Sequence, residues 1–154
     1  MKKVWTALLA AALLLFLGNC ALAQDAVPQI KADGDLADWA GIYSLCPGED
    51  KVAILYAFTT DDALYVAFQA PDSTNIGVYD VLLNTDGDFS TAYQCDGRHP
   101  RAGADFLIET WTGAVYAGAT GAEWEWTGGT YDIQKATSAD GTTVEIIAPL
   151  SVLG

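Results

Sequence analysis

The feature that most narrows how this chain can fold is a two-residue period. Apolar side chains stand at Val52, Ile54, Tyr56 and Phe58, and again at Leu64, Val66 and Phe68. In an extended strand, successive side chains point to opposite faces, so each set lines one face of a sheet. The "TTDD" between the two runs is turn-like, and the pair reads as a β-hairpin. Further strands are expected over about 78–85, 105–111, 114–117, 123–126, 130–135 and 142–148. The intervening stretches "NTDGD", "WTGA", "GATGA", "TGGT" and "SADGT" are rich in Gly and Asp, the punctuation of tight turns. Beyond the first 23 residues no window holds a helical period. Eight or nine short strands joined this way predict an all-β fold, two packed antiparallel sheets in a jelly-roll-like β-sandwich.

The N-terminus reads differently. Lys2 and Lys3 precede an apolar run over 4–17, and Ala21-Leu22-Ala23 fits a small-x-small cleavage site. Residues 1–23 are therefore expected to be a signal peptide, leaving one domain over 24–154. The apolar run is short for a membrane span, so no insertion is expected after cleavage. The product would be secreted or periplasmic. The stretch "LGNC" offers the alternative of a lipid anchor on Cys20. The formal net charge is −13, and it becomes more negative when Lys2 and Lys3 leave. Nucleic acid and anionic membrane surfaces need clustered cations and are excluded as partners. Cys46 and Cys95 remain after cleavage. An even count in an exported chain reads as one disulfide, worth on the order of 4 kcal/mol for a loop of about 50 residues. Two separate buried thiols are the alternative.

Three segments, in order, carry a resemblance. They are "IKADGDLADW" (30–39), then "TTDDALYVAFQAPD" (59–72) with "YDVLLNTDGDFSTAY" (79–93), and finally "GADFLIE" (103–109) with "GTTVEIIAPLSVLG" (141–154). Their order and spacing resemble the family-nine carbohydrate-binding modules, within a wider group of extracellular sugar- or haem-binding β-sandwiches. The resemblance implies a polysaccharide or oligosaccharide partner and no catalysis. Such a module supports polysaccharide breakdown by holding an enzyme near its substrate. Family members carry a further strand after the position of "PLSVLG", so a C-terminal strand is expected to be missing. A haem would need Met or His axial ligands. His99 is the single histidine and Met1 the single methionine, so haem is not expected.

Sugar rings stack their C–H faces on flat indoles, while oxygens and amides take the hydroxyls. Trp39 follows the "DGDLAD" turn and is read as structural. Trp111 shares a strand face with Asp105, Leu107 and Glu109. Phe106 and Ile108 form the better core face, so Trp111 is expected to look outward. In "GAEWEWTGG" a strand would point Trp124 and Trp126 one way and Glu123 and Glu125 the other. Core packing and a ligand-stacking surface both remain open for that pair. The carbohydrate-binding candidates are thus Trp111, Trp124 and Trp126, with Tyr116 and Tyr131 nearby, plus Glu109 and Glu145. Glu145 alternates with Val144 and Ile146 as in the family. It is read as a metal or sugar ligand, or as a solvent-facing strand residue.

Asn84, Asp86 and Asp88 place three oxygen ligands at alternate positions around Gly87. Calcium favours such hard oxygens, and the resemblance allows a structural calcium there. A plain Asp-Gly turn is the alternative. Asp33, Asp35 and Asp38 form a weaker version. No nucleophile motif accompanies His99. Glu109, Glu123, Glu125 and Glu145 could supply a glycosidase pair, but any acidic sandwich offers such pairs. No catalytic residue is expected. A structural or adhesion sandwich without a sugar site is the alternative function.

Overall fold

The computed structural model describes residues 29–45, 54–72, 79–94, 102–121 and 123–154. The proposed signal peptide, Cys20, the Cys46–Cys95 bridge and His99 lie outside the described residues. Among the described residues there are eight strands: β1 (Ile54–Thr59), β2 (Ala63–Gln69), β3 (Asp80–Leu83), β4 (Phe106–Glu109), β5 (Ala114–Ala117), β6 (Thr127–Thr130), β7 (Gln134–Thr137) and β8 (Thr143–Pro149). They form two four-stranded sheets, ordered β1-β2-β8-β7 and β3-β4-β5-β6. Every strand pairing is antiparallel. The second sheet is a simple meander. The first places β8 between β2 and β7, so the C-terminal strand occupies the middle of its sheet. Among the described residues no helix is long and apolar enough to cross a membrane.

The two-residue period accounts for the core. Leu64, Val66 and Phe68 of β2 share an inner face with Val144, Ile146 and Ala148 of β8. They meet Val81, Leu83, Phe106, Ile108 and Val115 from the second sheet. These alternate residues come from both sheets, which makes the fold a β-sandwich.

The outer face of the first sheet is also covered. Residues 30–42 lie across it, and Ile30, Trp39 and Ala67 form a second buried cluster there. A 3-10 turn over Leu36–Trp39, capped by the Asp35 side chain on the Ala37 N–H, delivers Trp39 into this layer. Its ring packs against Tyr56 at 5.5 Å and against Phe58 at 5.7 Å. Trp39 is structural, as its position after the acidic turn suggests.

Two strand expectations moved. Residues 123–126 are not a strand, and the pairing with β5 is taken up by β6, over Thr127–Thr130. The rings of Trp124 and Trp126 instead pack on Tyr93. Their alternation came from a local cluster, not from a ladder. The strand expected over 130–135 begins at Gln134, because β8 fixes the register: Gln134 lies opposite Ile147 and Thr137 opposite Val144.

Candidate functional site

Glu145 illustrates how the first sheet is closed. It stands on the outer face of β8, opposite Ala67 of β2 and Ala136 of β7. Those small neighbours leave room for Trp39 to descend beside the carboxylate. Trp39 Nε1 donates to Glu145 Oε1 at 2.6 Å, and the Asp33 and Gly34 N–H groups donate to Oε2. Gly34 has φ +86°, and a Cβ on it would lie 2.8 Å from the Ser138 nitrogen. Only glycine fits this turn, which brings two amides onto one oxygen. Glu145 is 0% exposed. It ties the N-terminal segment to the sheet and presents no surface to a ligand.

That leaves the outer face of the second sheet. The parity that sends Val81, Ile108 and Val115 inward sends Asp80, Glu109 and Tyr116 outward. Asp80 and Glu109 are directly opposite in the register, with Cβ atoms about 5 Å apart. Partial desolvation against the sheet, and then the Glu109 charge, raise the Asp80 carboxyl above its ordinary value. Glu109 accepts from Thr112 Oγ1 at 2.7 Å and is hydrogen-bonded to the Tyr116 hydroxyl. Desolvation, followed by the Glu109 charge and Tyr131, raises the Tyr116 phenol.

Backbone geometry exposes the rings here. Gly113 N–H donates to the Glu109 carbonyl at 2.8 Å, closing a tight turn between β4 and β5. Trp111 sits in that turn and is 61% exposed. The Thr110 hydroxyl donates to the Tyr79 carbonyl, and Lys135 Nζ donates to the Trp111 carbonyl at 3.0 Å, so the turn is tied to β3 and to the first sheet. On the other side Tyr116 lies over Gly129, where a Cβ would meet its ring at 2.8 Å. Tyr131, just past β6, is 68% exposed. All four strands of this sheet contribute, across about 14 Å at the usual strand spacing.

Trp124 and Trp126 are arranged differently. Their centroids are 5.8 Å apart with the rings at 77° to one another. Both pack on buried Tyr93. Trp126 packs toward Leu82, and its Nε1 is enclosed without an acceptor among the described residues. Near-perpendicular rings cannot offer one flat surface. Trp124 alone keeps an exposed ring.

The turn after β3 holds itself closed. Asn84 Oδ1 accepts from Gly87 N–H, Asp86 Oδ1 from Asp88 N–H, and Asp88 Oδ1 from the Ser90 amide and hydroxyl. The Ser90 bonds hold the Asp88 carboxyl below its ordinary value. Asp105 accepts from Thr85 and Asp86 N–H across the turn. Among the described residues no group of three or more His, Cys, Asp or Glu side chains is arranged to hold a metal ion.

Trp111 thus stands in the turn two residues after Glu109, and Glu145 is buried on the other sheet. Trp126 packs toward Leu82, on the same outer face of β3 as Asp80. Asp80 joins the site without a sequence signal, because only the β3–β4 register sets it opposite Glu109. No protein-family model, no curated protein and no solved structure matches this chain.

Proposed function

We propose that this chain is an exported carbohydrate-binding domain without catalytic groups, and that it binds glycans on the outer face of the second sheet around the β4–β5 turn. The observation that carries the reading is the placement of Asp80, Glu109, Tyr116 and Tyr131 on the second sheet next to the β4–β5 turn, in which Trp111 is exposed. Exposed rings supply stacking faces for sugar C–H patches. The carboxylates accept strong, charge-assisted hydrogen bonds from hydroxyls. Such a surface holds a polymer without cleaving it and suits a domain that keeps an enzyme close to its polysaccharide.

Titration with xylan, cellulose fragments and soluble sugars, followed by tryptophan emission, tests this. A ligand should shift the emission of the natural protein and leave Trp111→Ala silent. Silence of the natural protein across a broad panel would leave the structural or adhesion domain as the better reading. A structural calcium at Asn84, Asp86 and Asp88 is tested by melting with and without a chelator. A fall in Tm on chelation places an ion in the turn, and an unchanged Tm leaves the turn to its own hydrogen bonds.

A further inference from the structure

We propose that Lys135 is a positioning residue for the glycan surface: from the first sheet it holds the β4–β5 turn in place, so that the Trp111 indole is set before a sugar arrives. This deepens the carbohydrate-binding reading and rests on it.

Strand parity sends Lys135 to an unusual place. It lies opposite Ile146 in the β7–β8 register, and Ile146 belongs to the core between the sheets. Directly opposed residues share a face, so Lys135 points inward, toward the second sheet. A lysine there lays its stem along apolar surface, and its ammonium needs an acceptor. The acceptor is the Trp111 carbonyl oxygen, 3.0 Å from Nζ. The stem takes part as well. A Cβ built on Gly113 would lie 3.5 Å from Lys135 Cδ and 3.9 Å from Ile133 Cδ1. Lys135 and Ile133 thus lie against the turn that carries Trp111.

The other bonds of this turn have a different effect. Gly113 N–H donates to the Glu109 carbonyl, Thr112 Oγ1 to the Glu109 carboxylate, and Ala114 N–H to Thr112 Oγ1 at 3.1 Å. These bonds set the shape of the turn. The Thr110 hydroxyl ties it to the Tyr79 carbonyl, beside β3 of the same sheet. None of them fixes the turn against the first sheet, and the Lys135 bond does. Holding the Trp111 carbonyl holds the Cα from which the exposed indole projects. A ring whose backbone is already fixed loses less freedom when a ligand stacks on it, and affinity gains what is saved.

The test reads the ring and the binding separately. The protein is labelled with 5-fluorotryptophan, and the Trp111 line of its fluorine NMR spectrum is the one lost in Trp111→Phe. Lys135→Met keeps most of the stem and removes the donor. Its Trp111 line should narrow and move toward the position of the unfolded protein, while the lines of Trp39, Trp124 and Trp126 stay. Lys135→Arg keeps a donor and should return the line. Xylohexaose and cellohexaose are then titrated by calorimetry. A hexaose that binds the natural protein should bind Lys135→Met about two- to tenfold more weakly, the equivalent of ordering one side chain. Lys135→Arg should recover most of that loss. Lys31→Met removes the same charge from the exposed segment over the other sheet, and should change neither reading, because distant exposed charges are screened.

An unmoved Trp111 line in Lys135→Met overturns the proposal, and continued binding of the hexaose then leaves the carbohydrate reading standing. A moved line with unchanged affinity shows a ring that the glycan does not use, and overturns it also. Movement of all the tryptophan lines together would make Lys135 a general strut of the sandwich and overturn the positioning role. Association of Lys135→Met with an unmoved line would make it a guard of the β7 edge instead. Binding of neither hexaose to the natural protein overturns the role, and silence across the broader glycan panel overturns the carbohydrate reading with it.

Discussion

Removing the Glu145 carboxylate should release the N-terminal segment from the sandwich. In Glu145→Ala three donors lose their acceptor. Trp39 is 1% exposed, so its Nε1–H has no access to water, a loss of about 1–3 kcal/mol. The Asp33 and Gly34 amides lie nearer the surface and regain water, leaving about 0.5–1.5 kcal/mol for each. The truncated side chain leaves a cavity under the Trp39 ring, which adds roughly 1–2 kcal/mol. Together the loss is about 3–8 kcal/mol, against about 5–15 kcal/mol for a whole domain. Glu145→Gln keeps the volume but turns an N–H toward a donor, and should lose about 1–3 kcal/mol. Guanidinium unfolding followed by circular dichroism measures both. Combining Glu145→Gln with Trp39→Phe should show coupling of about 0.5–3 kcal/mol, since the phenyl ring no longer needs an acceptor. A smaller m-value in Glu145→Ala would mark a native state whose N-terminal segment has already let go. A loss below about 1 kcal/mol with an unchanged m-value would refute the reasoning, because the carboxylate would then be solvated and the segment not clamped by it.

Three further outcomes follow from the same geometry. Asp80→Asn should raise stability at neutral pH by about 0.2–1 kcal/mol, since it removes a like-charge cross-strand pair; a lower Tm would contradict the repulsion between Asp80 and Glu109. Asp140 accepts from Ser138 and Thr142 in the β7–β8 turn, and those bonds lower its carboxyl from 3.8 to about 2. A depressed carboxylate stabilises the fold above its unfolded value, and this is lost as pH falls through the folded one. Asp140→Asn should therefore flatten the fall in Tm between pH 3.8 and about 2, and an unchanged slope would count against it. Gly34→Ala needs a positive φ and a close approach to the Ser138 backbone; it should destabilise by about 2 kcal/mol or more, read as a lower denaturation midpoint.

The alternation in "ILYAFT" and "ALYVAFQ" was enough, by itself, to specify β1, β2 and the hairpin between them. The same parity put Ile108 inside and Glu109 outside, and the Gly-Asp clusters marked where the strands end. These are local properties: a strand period states which side chains share a face. It does not state what covers that face. Glu145 reads as a surface carboxylate in "TVEIIAP", yet residues more than 100 positions earlier bury it. Trp124 and Trp126 read as a strand pair, yet Tyr93 draws them into a perpendicular cluster. Asp80 carries no motif, and only the β3–β4 register sets it against Glu109. The covering layer, the register and the ring angles all arise from contacts between distant segments, and tertiary packing alone decides them.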